Sequence, residues 1–369
     1  MKLSNILVLS AGGPAGVNFM KALKLGGFAD VFGADANPYH LILSEKYAVK
    51  SFKIPRYDEE GYLDKINEII EKYEIDFVHA QSDEEVEFIG LNRKKIKAKT
   101  FLPPSPMILF CQDKWSTAMG WSSLWEDAYA YLLDNNDKLL YYLYRIIKRL
   151  GPLWIRATRG AGGRGSTLCT TAEMGLHWLK YWWSRDPKME FMAQKYLPGR
   201  NIAWQSVWKD GELLTSQARE RVEYIYPNLA PSGITGTPTV QRTLNEGKIN
   251  AAAIESIHRV QLEPHGIYSV DLKENENGDP IPTEINCGRF FTTSYFFAVG
   301  AEMFDVPRAN MPEMYVLAGL DKDLPAGEIY NILEEDLYWI RHIDCGHKLT
   351  KGSILNSKRQ DLLEHYSGG

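Results

Sequence analysis

Cysteine is scarce in this chain. Its 369 residues hold four, Cys111, Cys169, Cys287 and Cys345, far apart and with no CxxC pair. That spacing excludes a disulfide framework and predicts reduced, mostly buried thiols, as expected in cytoplasm. There is no HExxH and no His/Cys cluster to suggest zinc. Charge of one sign is also scarce. A net charge of −5 argues against a nucleic-acid partner. No uncharged apolar run reaches the ~18 residues that a membrane span needs, so no membrane partner is expected. The N-terminus leads almost directly into "NILVLS", without a basic head and cleavage site, so no signal peptide is expected. Internal repeats and low-complexity segments are absent.

What remains is an ordinary globular composition, 44% hydrophobic and 24% charged, long enough for two or three domains. Residues 5–10 form a short apolar run, followed by "AGGPAG" and a helix pattern that stops at glycine. "DVFGADAN" reads as a second strand and "DFVHAQSD" as a further one. Between them "EGYLDKINEIIEKYEI" places Tyr62, Ile66, Ile69, Ile70 and Tyr73 on one helical face. Strands alternating with helices predict a parallel α/β sheet. "TFLPPSP" marks its boundary. A helical, aromatic region is expected from about Asp113 to Arg149. Strands then flank the stretch 160–165, a helix opens at a capping box of Thr170 and Glu173, and further strands turn at Pro198-Gly199 and Asp210-Gly211. A helix around 250–263 and a hairpin over 266–291 follow. The last sixty residues read as helical and mixed.

Two features carry chemistry. The first is "GAGGRG", with Gly160, Gly162, Gly163 and Gly165 inside six residues. It matches GxGxxG, but Ser166 to Thr171 are β-prone, so the loop joins two antiparallel strands and not a strand and a helix. Such a flap lets backbone N–H groups approach a triphosphate, with Arg156, Arg159 and Arg164 at hand. A plain mobile hairpin is the alternative, and four glycines make it entropically expensive. The earlier "SAGGPAG" has the strand–loop–helix setting. Either an anion at the helix N-terminus or a turn that only packs would suit it.

The second feature is "DLKENENGDPIPTEIN". With Asn277-Gly278 as turn residues, Asp271 falls opposite Glu284, and Asn286 lies on the same face. Opposed carboxylates are destabilising unless something positive lies between them. Two carboxylates and an amide offer oxygen to a hard cation, and magnesium shared with nucleotide phosphates fits best. The competing reading is a solvated charged face in which Lys273 neutralises the pair.

The flap between strands, then "MAQKYLPG", then a hairpin ending "EIN" with Arg289 resembles the ATP-grasp superfamily. The nearest resemblance is to the carbamoyl-phosphate-synthase large-subunit type, over residues 1–300. It implies an α/β and α+β fold with an N-terminal parallel α/β (pre-ATP-grasp) domain over 1–112. A small ATP-grasp subdomain with the flap would occupy 113–192, and a nucleotide and metal subdomain 193–310, both with antiparallel sheets. A mixed or helical extension would cover 311–369. By resemblance, Lys114 and Arg156 reach the nucleotide phosphates, Gly160 to Ser166 form the flap, and Gln194, Lys195, Tyr196 and Leu197 meet adenine. Asp271, Glu284 and Asn286 would hold magnesium, with manganese as the alternative. Arg289 would face the reacting phosphate, and Arg219 and Arg221 would line the reaction centre. Three departures are visible. Gln194 stands where the family commonly has glutamate, Asn201 where it often has a ribose-binding glutamate, and "EINCGRF" has one residue more than the "EINPR" form.

The activity so implied is a carboxylate–amine ligase: ATP converts a carboxylate to an acyl phosphate, releasing ADP, and an amine or similar nucleophile displaces phosphate. Small-molecule acids and amines would be the partners, and an oligomer is left open. Substrate is expected where Ser10 to Gly16 and Gln81 to Glu85 end their strands. The alternatives are an NAD-dependent oxidoreductase using the first glycine turn and a non-catalytic ATP-binding sensor.

Overall fold

The computed structural model describes residues 3–160, 163–230, 232–343, 346–354 and 356. Gly162 and Cys345 lie outside these, and the other three cysteines are free and buried.

The chain opens with β1 (Ser4–Leu9), α1 (Pro14–Gly26), β2 (Ala29–Asp35), α2 (Pro38–Ser44), β3 (Lys50–Lys53), α3 (Tyr62–Lys72), β4 (Phe77–His79) and α4 (Asp83–Asn92). The four strands form a parallel sheet in the order β3-β2-β1-β4. Ile6, Leu7, Val8 and Leu9 of β1 are all fully buried, as a central strand covered on both faces requires. On α3 Tyr62, Ile66, Ile69 and Ile70 of the expected stripe are at 3% exposure or less, and Tyr73, which caps the helix, is half-buried. Each of the first four contributes about 1.5–3 kcal/mol of burial.

Next come α5 (Ser105–Gln112), α6 (Lys114–Trp121), β5 (Ala130–Leu133), α7 (Leu139–Leu150), β6 (Leu153–Ala157), β7 (Thr167–Cys169), α8 (Ala172–Arg185) and β8 (Phe191–Lys195). They build a small antiparallel sheet, β5-β8-β6-β7. The expected helical region is interrupted here. Ala130–Leu133 is a strand because it completes the edge beside Phe191–Gln194, a partner sixty residues away that local pattern does not show. The α8 cap is Thr171, whose side chain accepts from the Met174 N–H, one residue later than the expected Thr170.

The rest comprises β9 (Asn201–Lys209), β10 (Glu212–Tyr224), β11 (Pro238–Leu244), α9 (Gly247–His258), β12 (Gly266–Glu274), β13 (Pro280–Cys287), α10 (Tyr295–Phe304), α11 (Met311–Gly319), β14 (Leu337–His342) and β15 (Gly346–Lys351). Their seven strands pair antiparallel in the order β13-β12-β9-β10-β11-β14-β15. The C-terminal segment thus adds two strands to the same sheet that carries the hairpin. Among the described residues, no helix is long and apolar enough to cross a membrane.

Candidate nucleotide and metal site

The β12–β13 hairpin sets the site. Asp271 pairs with Glu284 and Ser269 with Asn286, as the sequence predicts, but by a different route. The turn is wider than two residues: Asn275 Oδ1 accepts from the N–H groups of Asn277 and Asp279, and the strands begin pairing at Glu274 and Pro280. That register runs one residue off the expected one. A bulge at Thr283 shifts it back between Leu272 and Asp271, so the two displacements cancel. The bulge also frees the Thr283 carbonyl, which accepts from Arg156 Nη2 at 2.6 Å.

The opposed carboxylates are balanced by cations from other elements. Arg221 of β10 contacts Asp271 at 2.6 Å. Lys114 at the start of α6 and Arg156 of β6 each lie 3.6 Å from Glu284. Lys273 does not do this. Its ammonium donates to the Gly199 carbonyl and to Asn201 Oδ1, which removes it as the internal counter-ion. Burial raises the Asp271 pKa, and Glu284 adds to the rise against the opposing pull of Arg221. Burial also lowers the Arg156 pKa, opposed by Glu284 and Asp271. Asn286 Oδ1 accepts from Arg289 Nη2 at 2.6 Å.

These groups face a cleft of about 350 Å³ between the small and large sheets. One wall is the end of β8. Gln194 is buried and fully engaged, its Oε1 accepting from Arg156 and its Nε2 donating to the Ala128 carbonyl. A glutamate there could not make the second bond, which gives the departure a structural role. Lys195 is held by Asp127 and Glu276 at 2.9 and 3.0 Å. Tyr196, Leu197 and Asn201 complete this wall.

The flap joins β6 to β7 as an antiparallel pair. Lys114 Nζ donates to the Gly160 carbonyl, and Ser166 donates to the Gly163 carbonyl. Gly163 has φ +70°, and a Cβ there would come 3.1 Å from the Ile234 carbonyl. Gly165 does not line the cleft; its carbonyl accepts from Trp178 Nε1. Arg164 lies over the Trp182 ring and Arg159 near Asp113, although both reach the cleft edge.

Arg289 closes the far end. Gly288, in the longer "EINCGRF" stretch, adopts φ +84°, and a Cβ there would meet Val86 at 2.6 Å. The resulting bend turns Arg289 onto Asp83 at the start of α4, with contacts from both Nε and Nη2. Arg221 lines the cleft, whereas Arg219 does not: it is fully buried beneath it, donating to Thr293 Oγ1 at 3.1 Å and stacked over Phe296 and Phe297.

The N-terminal segments serve differently from expectation. None of Ser10–Gly16 or Gln81–Glu85 lines the cleft. Instead Asp83, Gln81 and Asn18 bind Arg289, the Phe290 carbonyl and the Thr292 carbonyl, holding the wall from behind. The first glycine turn packs. The Gly12 N–H is taken by Asp35, and the space a Cβ would need at Gly12 is filled by the His40 backbone. An acidic side chain on that N–H leaves no welcome for phosphate.

Sequence reasoning missed the loop Ile234–Pro238 and the residues Gln241, Thr292 and Thr293, all of which line the cleft. The signal available was "SGITGTPT", a glycine- and threonine-rich run between strands.

No protein-family model matches the chain, and no curated protein matches it by sequence. Solved structures do match in fold. The biotin carboxylase domain of Hydrogenobacter thermophilus 2-oxoglutarate carboxylase, a dimer with MgADP, ADP and bicarbonate, has a TM-score of 0.64 at 14% identity, covering 92% of this chain and 74% of that one. Staphylococcus aureus N5-carboxyaminoimidazole synthetase with ADP gives 0.63 at 14%, over 93% and 83%. An L-amino acid ligase from Bacillus licheniformis gives 0.65 at 12%, over 92% and 80%. The chain has the ATP-grasp fold that the sequence resemblance implies.

Proposed function

We propose that the protein is an ATP-dependent, ADP-forming ligase that activates a carboxylate as an acyl phosphate and joins it to an amine or similar nucleophile. The observation that carries this reading is the in-register pair Asp271–Glu284, ringed by Lys114, Arg156 and Arg221 and facing a cleft that Gly160, Gly163 and Ser166 also line. The ADP and MgADP bound by structural neighbours support it.

The donor set suits magnesium. Among the described residues no group of three or more His, Cys, Asp or Glu side chains gathers as a metal site. Two carboxylates and an amide are what an ion sharing its shell with phosphates and water needs. Asp271, Glu284 and Asn286 would hold it, and when bound it would draw charge from the transferring phosphate. Lys114 and Arg156 would then lose their carboxylate partner to the ion and turn to phosphate oxygens. Flap N–H groups would cover the triphosphate and exclude water. Arg289, fixed by Asp83, would orient the acid or its acyl phosphate. Charge neutralisation and alignment suffice for this chemistry, and no nucleophilic side chain is required.

The test is phosphate release from ATP and magnesium across a panel of amino and other carboxylic acids. At least one acid should stimulate release, and Glu284→Ala should abolish it with the fold intact. Undiminished release in that variant overturns the assignment.

A further inference from the structure

The inner end of the cleft carries more positive charge than the protein itself balances. Arg221 has Asp271 and Arg289 has Asp83. Arg219 and Arg341 have no carboxylate within salt-bridge distance among the described residues. Among the described residues Arg219 makes one side-chain bond, to Thr293 Oγ1, and its Nε and Nη2 are buried without a partner. Among the described residues Arg341, at the end of β14, donates only to neutral oxygens: the Pro238 carbonyl at 3.1 Å, the Thr292 carbonyl at 3.1 Å and Thr292 Oγ1 at 3.3 Å. Burial, together with the neighbouring Arg221 and Arg341, lowers the Arg219 pKa to about 9, and burial lowers that of Arg341 to about 10.

Gln241 stands in the same place. It lies opposite Arg221 on β11, lines the cleft, is 1% exposed, and has both its amide oxygen and its amide nitrogen unpartnered. Water would satisfy the hydrogen bonds of such a cluster, but not the charge of two desolvated guanidiniums. Thr292 and Thr293, the hydroxyls on which the two arginines rest, both line the cleft. The arginines act on the cleft through these threonines.

We propose that this inner end is a subsite for a second anionic group of the acid substrate, a carboxylate or phosphate remote from the reacting carboxyl, contacted by Gln241, Thr292 and Thr293 and balanced by Arg219 and Arg341. It rests on the ligase reading for the word substrate, but not for the anion site itself. A simple monoacid would leave the excess charge unanswered. An acid with a second anion, a few bonds from the first, would answer it while its reacting end meets Arg289.

The experiment compares succinate, 3-phosphonopropionate and butyrate as probes of the full chain. Binding is read by calorimetry, and ADP formation with ATP and magnesium is followed in parallel samples. Succinate or the phosphonate should bind at least tenfold more tightly than butyrate, and the tighter of the two identifies the anion. Gln241→Glu places a carboxylate beside the arginines. It should raise the melting temperature and erase the preference. Arg341→Met should reduce the preference tenfold, with Arg341→Lys restoring part of it. Equal binding of all three probes, or a full preference surviving in Gln241→Glu and Arg341→Met, overturns the subsite. Selective dianion binding with no ADP from any acid leaves the subsite standing and counts against the ligase reading. ADP formed with butyrate as readily as with the dianions does the reverse.

Discussion

Arg289, just past the end of β13, grips Asp83 at the first turn of α4, more than two hundred residues earlier in the chain. The contact joins the β12–β13 hairpin to the N-terminal α/β layer, and it fixes where the guanidinium points.

Asp83→Asn should therefore act on catalysis more than on folding. The pair is partly exposed, 16% and 32% at the two side chains, so screening holds its stability contribution to about 1 kcal/mol. Freed of its anchor, Arg289 should lower kcat for ADP formation about tenfold, in line with a misplaced orienting group, with little change in KM for ATP. Steady-state kinetics beside urea unfolding checks both halves.

Asp271→Asn removes one oxygen anion from the proposed magnesium set and leaves Arg221 without its partner. ADP formation should fall at least about a hundredfold, the loss expected when several kcal/mol of metal-based charge stabilisation goes. The magnesium concentration for half-maximal rate should rise. A magnesium titration of the residual rate measures this.

Gly163→Ala puts a Cβ on a residue at φ +70°, 3.1 Å from the Ile234 carbonyl. The strain is about 1 kcal/mol or more and falls on the flap, which the core does not need. KM for ATP should rise several-fold, and the melting temperature should stay within a degree or two of wild type, read by calorimetry.

Glu313, on α11, is raised to a pKa of about 7 by burial, with its bond to Asn310 opposing the shift. A carboxyl raised in the folded state supports the fold below its unfolded value near 4.5, and that support is lost as pH rises through 7. Stability should thus decline between pH 5 and 8. Glu313→Gln should flatten the decline and make the protein more stable than wild type at pH 8 by on the order of 1 kcal/mol. Urea titrations at pH 5.5 and 8 on both proteins check the sign.

The sequence was most legible where interactions are local. The hydrophobic period of α3 depends on neighbours in the chain, so its buried stripe could be read directly, and the turn signal at Asn277-Gly278 led to the Asp271–Glu284 pairing although the turn is wider than two residues. Even there the path differed, because an asparagine-closed turn and a bulge at Thr283 make equal and opposite shifts that no pattern displays. The rest depended on distant partners. Ala130–Leu133 is a strand on account of β8, the counter-ions of the carboxylates come from α6, β6 and β10, and Arg341 reaches the cleft's back wall only because β14 pairs with β11. Alternating faces were visible, but which strands adjoin was not.

The support of segment 289–292 by Asn18, Gln81 and Asp83 bears on how the chain can be divided. A fragment trimmed of its first hundred residues would keep the strands of both antiparallel sheets and the paired acids, yet the large sheet would lose the apolar layer it shares a core with, and segment 289–292 would lose every one of these tethers. Such a fragment would no longer hold Arg289 in place, so the N-terminal layer shapes the cleft as much as if it bordered it.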